Sequence, residues 1–277
     1  GCGALSKPAS GAEPGAPSPD GSREAFIRDW NLWLRDLASG KETQLTFDGK
    51  PDYGYATDNA GWKHTDNAIL VWSPDGNRIA TFQQDQRKTS TMTLVATNVG
   101  VPRAEQWKYP FVGDKDVTMI ERVIIDLSAA KPKTIRLQLP PDQHRSTCSD
   151  DIACSEGWED VQWAKDGKTL AFVSTDRGHK SATLRVADAA TGKVRDVYTE
   201  TVKTQYQSAP ALDSVNWRYL PESNEFLWFS QKSDWGHLYL HDLATGKQKR
   251  QLTSGDWNVA KVAHVDAASR TLWFEGV

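Results

Sequence analysis

Trp72-Ser-Pro-Asp-Gly76, followed at once by the apolar stretch 78–82, is the segment whose repetition decides the fold. Pro suits the first corner of a tight turn and Gly supplies positive φ at its end, so the segment is a hairpin corner feeding a strand. It recurs as Pro17-Ser-Pro-Asp-Gly21 before a strand over 24–27, and as Trp163-Ala-Lys-Asp-Gly167 before one over 169–173. Farther along each copy comes a second signature, an alternating strand that runs into a turn. It reads Leu32-Trp-Leu-Arg-Asp-Leu-Ala-Ser-Gly-Lys41, Leu184-Arg-Val-Ala-Asp-Ala-Ala-Thr-Gly-Lys193 and Leu238-Tyr-Leu-His-Asp-Leu-Ala-Thr-Gly-Lys247. In each, the Asp and the Ser or Thr can bond the turn backbone ahead of the Gly.

The order is constant: corner, strand, loop, strand ending in Asp, Gly-Lys turn, final strand (43–46, 194–198 and 248–253). Trp72 and Trp163 stand 91 residues apart and Trp163 and Trp217 stand 54 apart; four-stranded propeller blades repeat every ~40–50 residues. Weaker copies at 92–101 and 118–139 fill the longer gap, and the last unit supplies only strands 262–265 and 271–274. The expectation is an all-β chain, a β-propeller of four-stranded antiparallel blades. It holds about five to six blades' worth of strands, with the ring not closed within this chain.

Composition agrees. Trp (12) outnumbers Phe (8) and Tyr (7) while Met occurs twice, a bias that suits sheet faces better than helical cores. With 33 Lys plus Arg against 36 Asp plus Glu, the net charge of −3 provides no field for gripping nucleic acid or an anionic membrane. The longest apolar runs, 68–72 and 123–125, fall far short of the roughly 18–20 residues of a membrane helix. No membrane span is expected. The Gly1-Cys2-Gly3 start carries neither Met nor a signal peptide, so the chain reads as a piece of a longer one.

Two stretches depart from the repeat. Residues 1–17 are Gly-, Ala- and Pro-rich and read as a flexible segment ahead of a propeller over 18–277. The second, 48–67, is long, aromatic and Gly-bearing, the kind of loop on which recognition sits. Within it, Asp58, Trp62 and Asp66 are candidates for holding a cationic amine, carboxylates beside an aromatic wall. The alternative is structural, with both Asp side chains capping turns and Trp62 packing on the first blade. Asp234-Trp-Gly-His-Leu-Tyr239 reads as a tight corner leading into a strand. Cys148 and Cys154 enclose five residues and can close a small disulfide; unpaired thiols, or a metal site with His144, are the alternatives. Cys2 is left over.

Catalytic machinery is missing from the sequence. Gly-x-Ser-x-Gly, the phosphate loop and the Gly-x-Gly-x-x-Gly turn are all absent. His237 and His241 stand four apart but flank Leu238-Tyr-Leu240, which makes a strand with both imidazoles on one face rather than a helical metal pair. The adjacent acids Asp150-Asp151 and Glu159-Asp160 read as solvated loop carboxylates. No metal or other cofactor is expected.

The run Asn59-Ala-Gly-Trp62 through Ala68-Ile-Leu-Val-Trp-Ser-Pro-Asp-Gly76 and Ile79-Ala-Thr-Phe-Gln-Gln-Asp-Gln-Arg87, with Ser233-Asp-Trp-Gly-His-Leu-Tyr-Leu240 and Leu252-Thr-Ser-Gly-Asp-Trp257, is familiar as an ordered set. It resembles the N-terminal propeller of dipeptidyl peptidase IV-like enzymes of the prolyl oligopeptidase class, its bacterial branch above all, over 17–277. The resemblance implies a periplasmic or secreted serine exopeptidase in which an eight-bladed propeller sits over a C-terminal α/β-hydrolase domain. Such a propeller is non-catalytic. It gates access and helps hold the amino terminus of peptide substrates, while Ser, Asp and His of the hydrolase domain, outside this chain, cut after a penultimate Pro or Ala. A homodimer is compatible with that organisation. One feature departs: the animal enzymes carry a Glu-Glu pair before the Trp-Ser-Pro blade, where this chain has Ala60-Gly61-Trp62. Asp58 or Asp66 then replaces the pair, or the amine is recognised elsewhere, or specificity has changed. The alternative function is a stand-alone periplasmic propeller acting as a protein-binding scaffold.

Overall fold

The computed structural model describes residues 14–59, 65–97, 99–143, 158, 160–208 and 215–277. Cys2, Cys148, Cys154, His64, His144, the Asp150-Asp151 pair and Glu159 lie outside the described residues.

The first blade is the antiparallel sheet β1 (Ala16–Pro17), β2 (Arg23–Arg28), β3 (Asn31–Asp36) and β4 (Glu42–Gln44), in that order. Its first strand begins just inside the segment the sequence marks as flexible, with Ala16 opposite Ala25 and Pro17 opposite Glu24. Next come β5 (Tyr53–Tyr55), β6 (Val71–Trp72), β7 (Arg78–Asp85), β8 (Thr91–Ala96), β9 (Arg103–Lys108), β10 (Met119–Asp126), β11 (Lys133–Arg136) and β12 (Asp142–Gln143). The second blade is β6-β7-β10-β11. β5 extends the first-strand side of β7, and β12 extends the last-strand side of β10. β8 and β9 pair only with each other.

The third blade is β13 (Val161–Trp163), β14 (Thr169–Thr175), β15 (Ser181–Asp188) and β16 (Val194–Thr201). The fourth is β17 (Arg218–Leu220), β18 (Glu225–Ser230), β19 (His237–Asp242) and β20 (Gln248–Gln251), with a single 3₁₀ turn, Pro221–Ser223, between its first two strands. β21 (Val259–Asp266) and β22 (Thr271–Gly276) form a two-stranded sheet. The described residues thus supply 22 strands, the expected five to six blades' worth, but assemble them as four four-stranded blades, half of another, a separate hairpin and two added strands. The 91 residues between Trp72 and Trp163 hold one blade with a hairpin insertion, not two blades, and 92–101 belongs to that hairpin.

Turn chemistry operates as expected. At the second corner Ser73 donates to Asp75 at 2.6 Å and the Asn77 N–H donates to the same carboxylate at 3.1 Å, with Gly76 at φ +69°. At the Gly-Lys turns, Asp36, Asp188 and Asp242 accept from the hydroxyl and backbone N–H of Ser39, Thr191 and Thr245. Those bonds hold all three carboxyls below the usual range. Asp266 and Ser269 make the same turn between β21 and β22.

Blades are joined by apolar packing and by repeated ties. One buried cluster joins the first and second blades (Ala25, Leu32, Tyr55, Ile79, Val123) and another the second and third (Phe82, Ile124, Leu170, Phe172). A third joins the third and fourth (Val173, Leu184, Trp217, Phe226, Trp228), and a fourth packs that blade on β21 and β22 (Leu227, Phe229, Leu238, Val259). Fully burying one such side chain stabilises by about 1.5–3 kcal/mol. The Trp72 indole donates to Ala16 O at 3.2 Å, and the Trp163 indole to Val71 O at 3.1 Å, so each corner Trp bonds the first strand of the blade before it. Arg23 and Arg78 reach the other way, to Gly76 O and Gly167 O of the next corner. His237 and His241 lie on β19 as expected, the first against Thr253 and Gly255 and the second against Gly246.

Candidate functional site

The loop from β5 to β6 is anchored at both ends on β7. Ala56 N–H donates to Phe82 O, Ile69 N–H donates to Ala56 O, and the Thr81 hydroxyl donates to Ile69 O. Ala56 sits at φ +55°, a left-handed conformation that costs a residue with a Cβ about 1–2 kcal/mol and is tolerated because both neighbouring bonds over-determine it. Asp58 and Thr65 close the neck of this loop, the Thr65 N–H donating to Asp58 O at 2.9 Å and its hydroxyl to Asp58 Oδ2 at 2.7 Å. Asp58 is buried at 7% exposure, whereas Asp66, one residue past the neck, is exposed. Trp62 lies in 60–64, outside the described residues. The two carboxylates therefore hold different positions, one clamping the loop and the other presented to solvent.

Asn59 continues the cluster inward. Its Oδ1 accepts from Gln84 Nε2 and, at 2.8 Å, from Gln86 Nε2. Both glutamines are 1% exposed, and among the described residues neither Oε1 has a hydrogen-bond partner; the same holds for Thr57 Oγ1. Three unsatisfied polar atoms around one loop corner is unusual, since buried polar groups are nearly always bonded. A cavity of about 330 Å³ opens beside this corner, between blade two and the base of the β8–β9 hairpin.

A second polar cluster lies where the first blade meets the second. The Arg136 guanidinium bonds Gln83 at 2.5 Å, Glu121 at 2.9 Å, Tyr55 at 3.1 Å and Asp48 at 3.2 Å. Tyr53 donates to Glu121 and Tyr55 to Asp48. Burial and these carboxylate acceptors push the Tyr53 hydroxyl up to about 12 and Tyr55 higher still. Both phenols stay protonated and serve as donors that hold the carboxylates in place.

Sequence patterning singled out Asp58, Trp62 and Asp66 but not Asn59, Gln84 or Gln86. The available signal was three glutamines at 83, 84 and 86, two at the end of β7 and one just past it.

The model of the dipeptidyl peptidase IV (DPP IV) N-terminal region matches residues 3–277. Among curated relatives, dipeptidyl peptidase 4 of Arthroderma otae is 24% identical over 268 residues, covering 90% of this chain and 32% of the relative. Dipeptidyl peptidase 4 of Trichophyton rubrum is 23% identical over 275 residues, covering 93% and 32%. The crystal structure of Porphyromonas gingivalis dipeptidyl peptidase 4 superposes with a TM-score of 0.72 at 20% identity, covering 95% of this chain and 35% of that one. The chain spans about a third of the length of the relatives it matches. With blades, corners and loop in the order described and a family match over nearly every residue, the chain belongs to the dipeptidyl peptidase IV N-terminal region family.

Proposed function

We propose that this chain is the gating and substrate-positioning propeller of a serine-type, dipeptidyl peptidase IV-like exopeptidase acting in the periplasm or outside the cell. Catalytic Ser, Asp and His belong to a C-terminal α/β-hydrolase domain beyond the residues described here, and the substrates are peptides with a penultimate Pro or Ala. Family membership is the observation that carries this reading. The β5–β6 loop supports the positioning part. Its exposed Asp66, with Trp62, takes the substrate ammonium in place of a Glu-Glu pair, and Asp58, bonded to Thr65, holds the loop in shape. A carboxylate that accepts from an ammonium makes a charge-assisted hydrogen bond, stronger than a neutral one.

The test is dipeptide release by the full-length protein. An Xaa-Pro anilide with a free amine is cleaved and its N-acetylated counterpart is not. Asp66→Asn lowers kcat/KM by ten- to a hundredfold, with its melting unchanged. Absence of dipeptide release overturns the peptidase assignment. An Asp66→Asn variant with unaltered kcat/KM overturns the role of the loop and leaves that assignment standing.

A further inference from the structure

We infer that the face of the first blade turned away from the second is an interface built on charge. It takes a polar, hydrogen-bonding surface of the parent polypeptide, and that junction opens more readily than those between the later blades. The occupant comes from the same polypeptide, since this chain spans about a third of the length of the curated relatives it matches.

Strand register makes the contrast direct. One row of side chains crosses each blade on the face toward the blade before it. In the second blade Trp72 stands opposite Ile79 and Ile79 opposite Ile125, and all three pack against the first blade. In the third the row is Trp163, Leu170 and Ala187, packed on the second. In the fourth it is Tyr219, Phe226 and His241, with the imidazole centroid 4.6 Å from that of Tyr198 in the third. The same row in the first blade reads Pro17, Glu24 and Arg35, with Glu42 beyond. The other face of that blade is ordinary, with Ala25, Ile27, Leu32 and Leu34 packed toward the second blade. Alternation along the strands puts Glu24 and Arg35 on the opposite side.

The charged row pairs within itself. Arg35 bonds Glu24 and, at 3.0 Å, Glu42, and Arg28 bonds Glu42 in turn at 2.7 Å. Two acids and two bases cancel, so the row favours neither sign in a partner. Under it the Phe26 and Trp33 rings are roofed by guanidiniums: Arg28 stands 5.0 and 5.1 Å from the two centroids, and Arg35 stands 4.3 Å from that of Phe26. The first blade thereby closes its own aromatic layer with charge, as the polar outer face of a terminal repeat does, instead of leaving it for a neighbour to cover. An apolar neighbour would strip water from four charges that already have partners, a desolvation with no new bond to offset it. A polar neighbour leaves them hydrated. Pro17 removes a second tie, because the indoles of Trp72 and Trp163 donate to the first strand of the preceding blade and a pyrrolidine ring carries no such donor.

Hydrogen exchange of the full-length protein, read by mass spectrometry, tests this with no substrate present, so failure here is separate from failure of the peptidase reading. Amides of β2 and β3 should exchange about tenfold faster than those of the matching pair β14 and β15. Raising salt from about 50 to about 500 mM should widen that gap about threefold, because it screens the ion pairs. Glu24→Ile with Arg35→Ile copies the row of the second blade. Against a polar neighbour this double variant leaves β2 and β3 exchanging at least as fast as in the parent. The salt comparison needs no variant and stands by itself. Equal protection of the two strand pairs, or a gap that salt does not change, would overturn the proposal. So would slowing of β2 and β3 to the level of β14 and β15 in the double variant, since that requires an apolar neighbour. Slowing that grows with protein concentration would put a second copy on this face and overturn it as well.

Discussion

Gly246 and Gly40 occupy the same place in two copies of the Gly-Lys turn, at φ +71° and +70°, yet their surroundings differ. A Cβ on Gly246 would stand 2.2 Å from the Val197 carbonyl oxygen of the preceding blade's last strand, whereas one on Gly40 would meet nothing within 4 Å. Replacing each with Ala therefore separates two costs. The left-handed backbone penalty, about 1–2 kcal/mol, applies equally to both. Gly246→Ala must in addition push a turn and a neighbouring strand apart, because the obstructing atom is backbone with no rotamer to escape into; overpacking of this kind adds about 1–3 kcal/mol. Equilibrium urea unfolding followed by tryptophan fluorescence should place Gly40→Ala about 1–2 kcal/mol below the parent and Gly246→Ala about 2–5 kcal/mol below. The dependence on urea should keep the same slope in all three. Equal losses for the two variants would refute the idea that this turn is a blade-to-blade contact and reduce the glycine to a local requirement of φ.

Glu225 gives a pH signature: its side chain is 2% exposed and bonds both Arg270 and Lys249. Arg270 leads in holding its pKa near 2, below the ordinary 4.5. The stabilisation from this depressed pKa is complete above about pH 4.5 and is lost as pH falls toward 2, so the melting temperature should drop across that window in the parent and less steeply in Glu225→Gln. Asp142 accepts from Arg122 Nε at 2.8 Å and from the Ser174 hydroxyl, and the Arg122 side chain, 4% exposed, lies with its guanidinium 4.4 Å from the Phe172 ring centroid. Asp142→Ala leaves that cation buried between two blades and should cost about 3–5 kcal/mol in urea unfolding; a loss under 1 kcal/mol would show the pair to be dispensable. Replacing 92–107 by a short turn should move the melting temperature by only a few degrees, since β8 and β9 pair with no other strand; a collapse of the transition would mean the hairpin holds blade two together.

What was legible in the sequence was local. Ser73, Asp75 and Gly76 make a corner through bonds spanning two to five residues, and the same residue types announce it wherever it recurs. The corner tryptophans were visible as bulky residues beside each first strand, but their donation to Ala16 O and Val71 O joins residues 56 and 92 apart and leaves no spacing to find. The hairpin does not announce itself as an insertion for a related reason. Thr91-Met-Thr-Leu-Val-Ala96 alternates like any strand, and alternation does not say which sheet a strand joins. Nothing local marks Gln84 and Gln86 as a pair, because their partner, Asn59, lies 25 and 27 residues earlier. Asp58 was found, but its contact with Thr65 spans seven residues, a separation that belongs to no turn type, so clamp and ligand could not be told apart.

The repeat and its interruptions divide the labour between stability and recognition. Wherever the blade pattern is kept, the conspicuous residues are used up in holding blades together: Trp72 and Trp163 on the preceding first strand, Arg23 and Arg78 on the following corner, the Gly246 turn on the preceding last strand. Nothing in those positions is left over for a ligand. Two long departures from the pattern, the 56–70 loop and the 86–118 insertion, arise from the same blade, one entering β6 and the other leaving β7. They meet because the glutamines at the end of β7 bond Asn59 on the loop while the hairpin rises from the next few residues. An insertion elsewhere in the repeat would have no such neighbour. The unsatisfied amides, the exposed carboxylate of Asp66 and the cavity of about 330 Å³ beside them thus share one cause: two insertions on adjacent strand ends, each completing a wall that the other lacks.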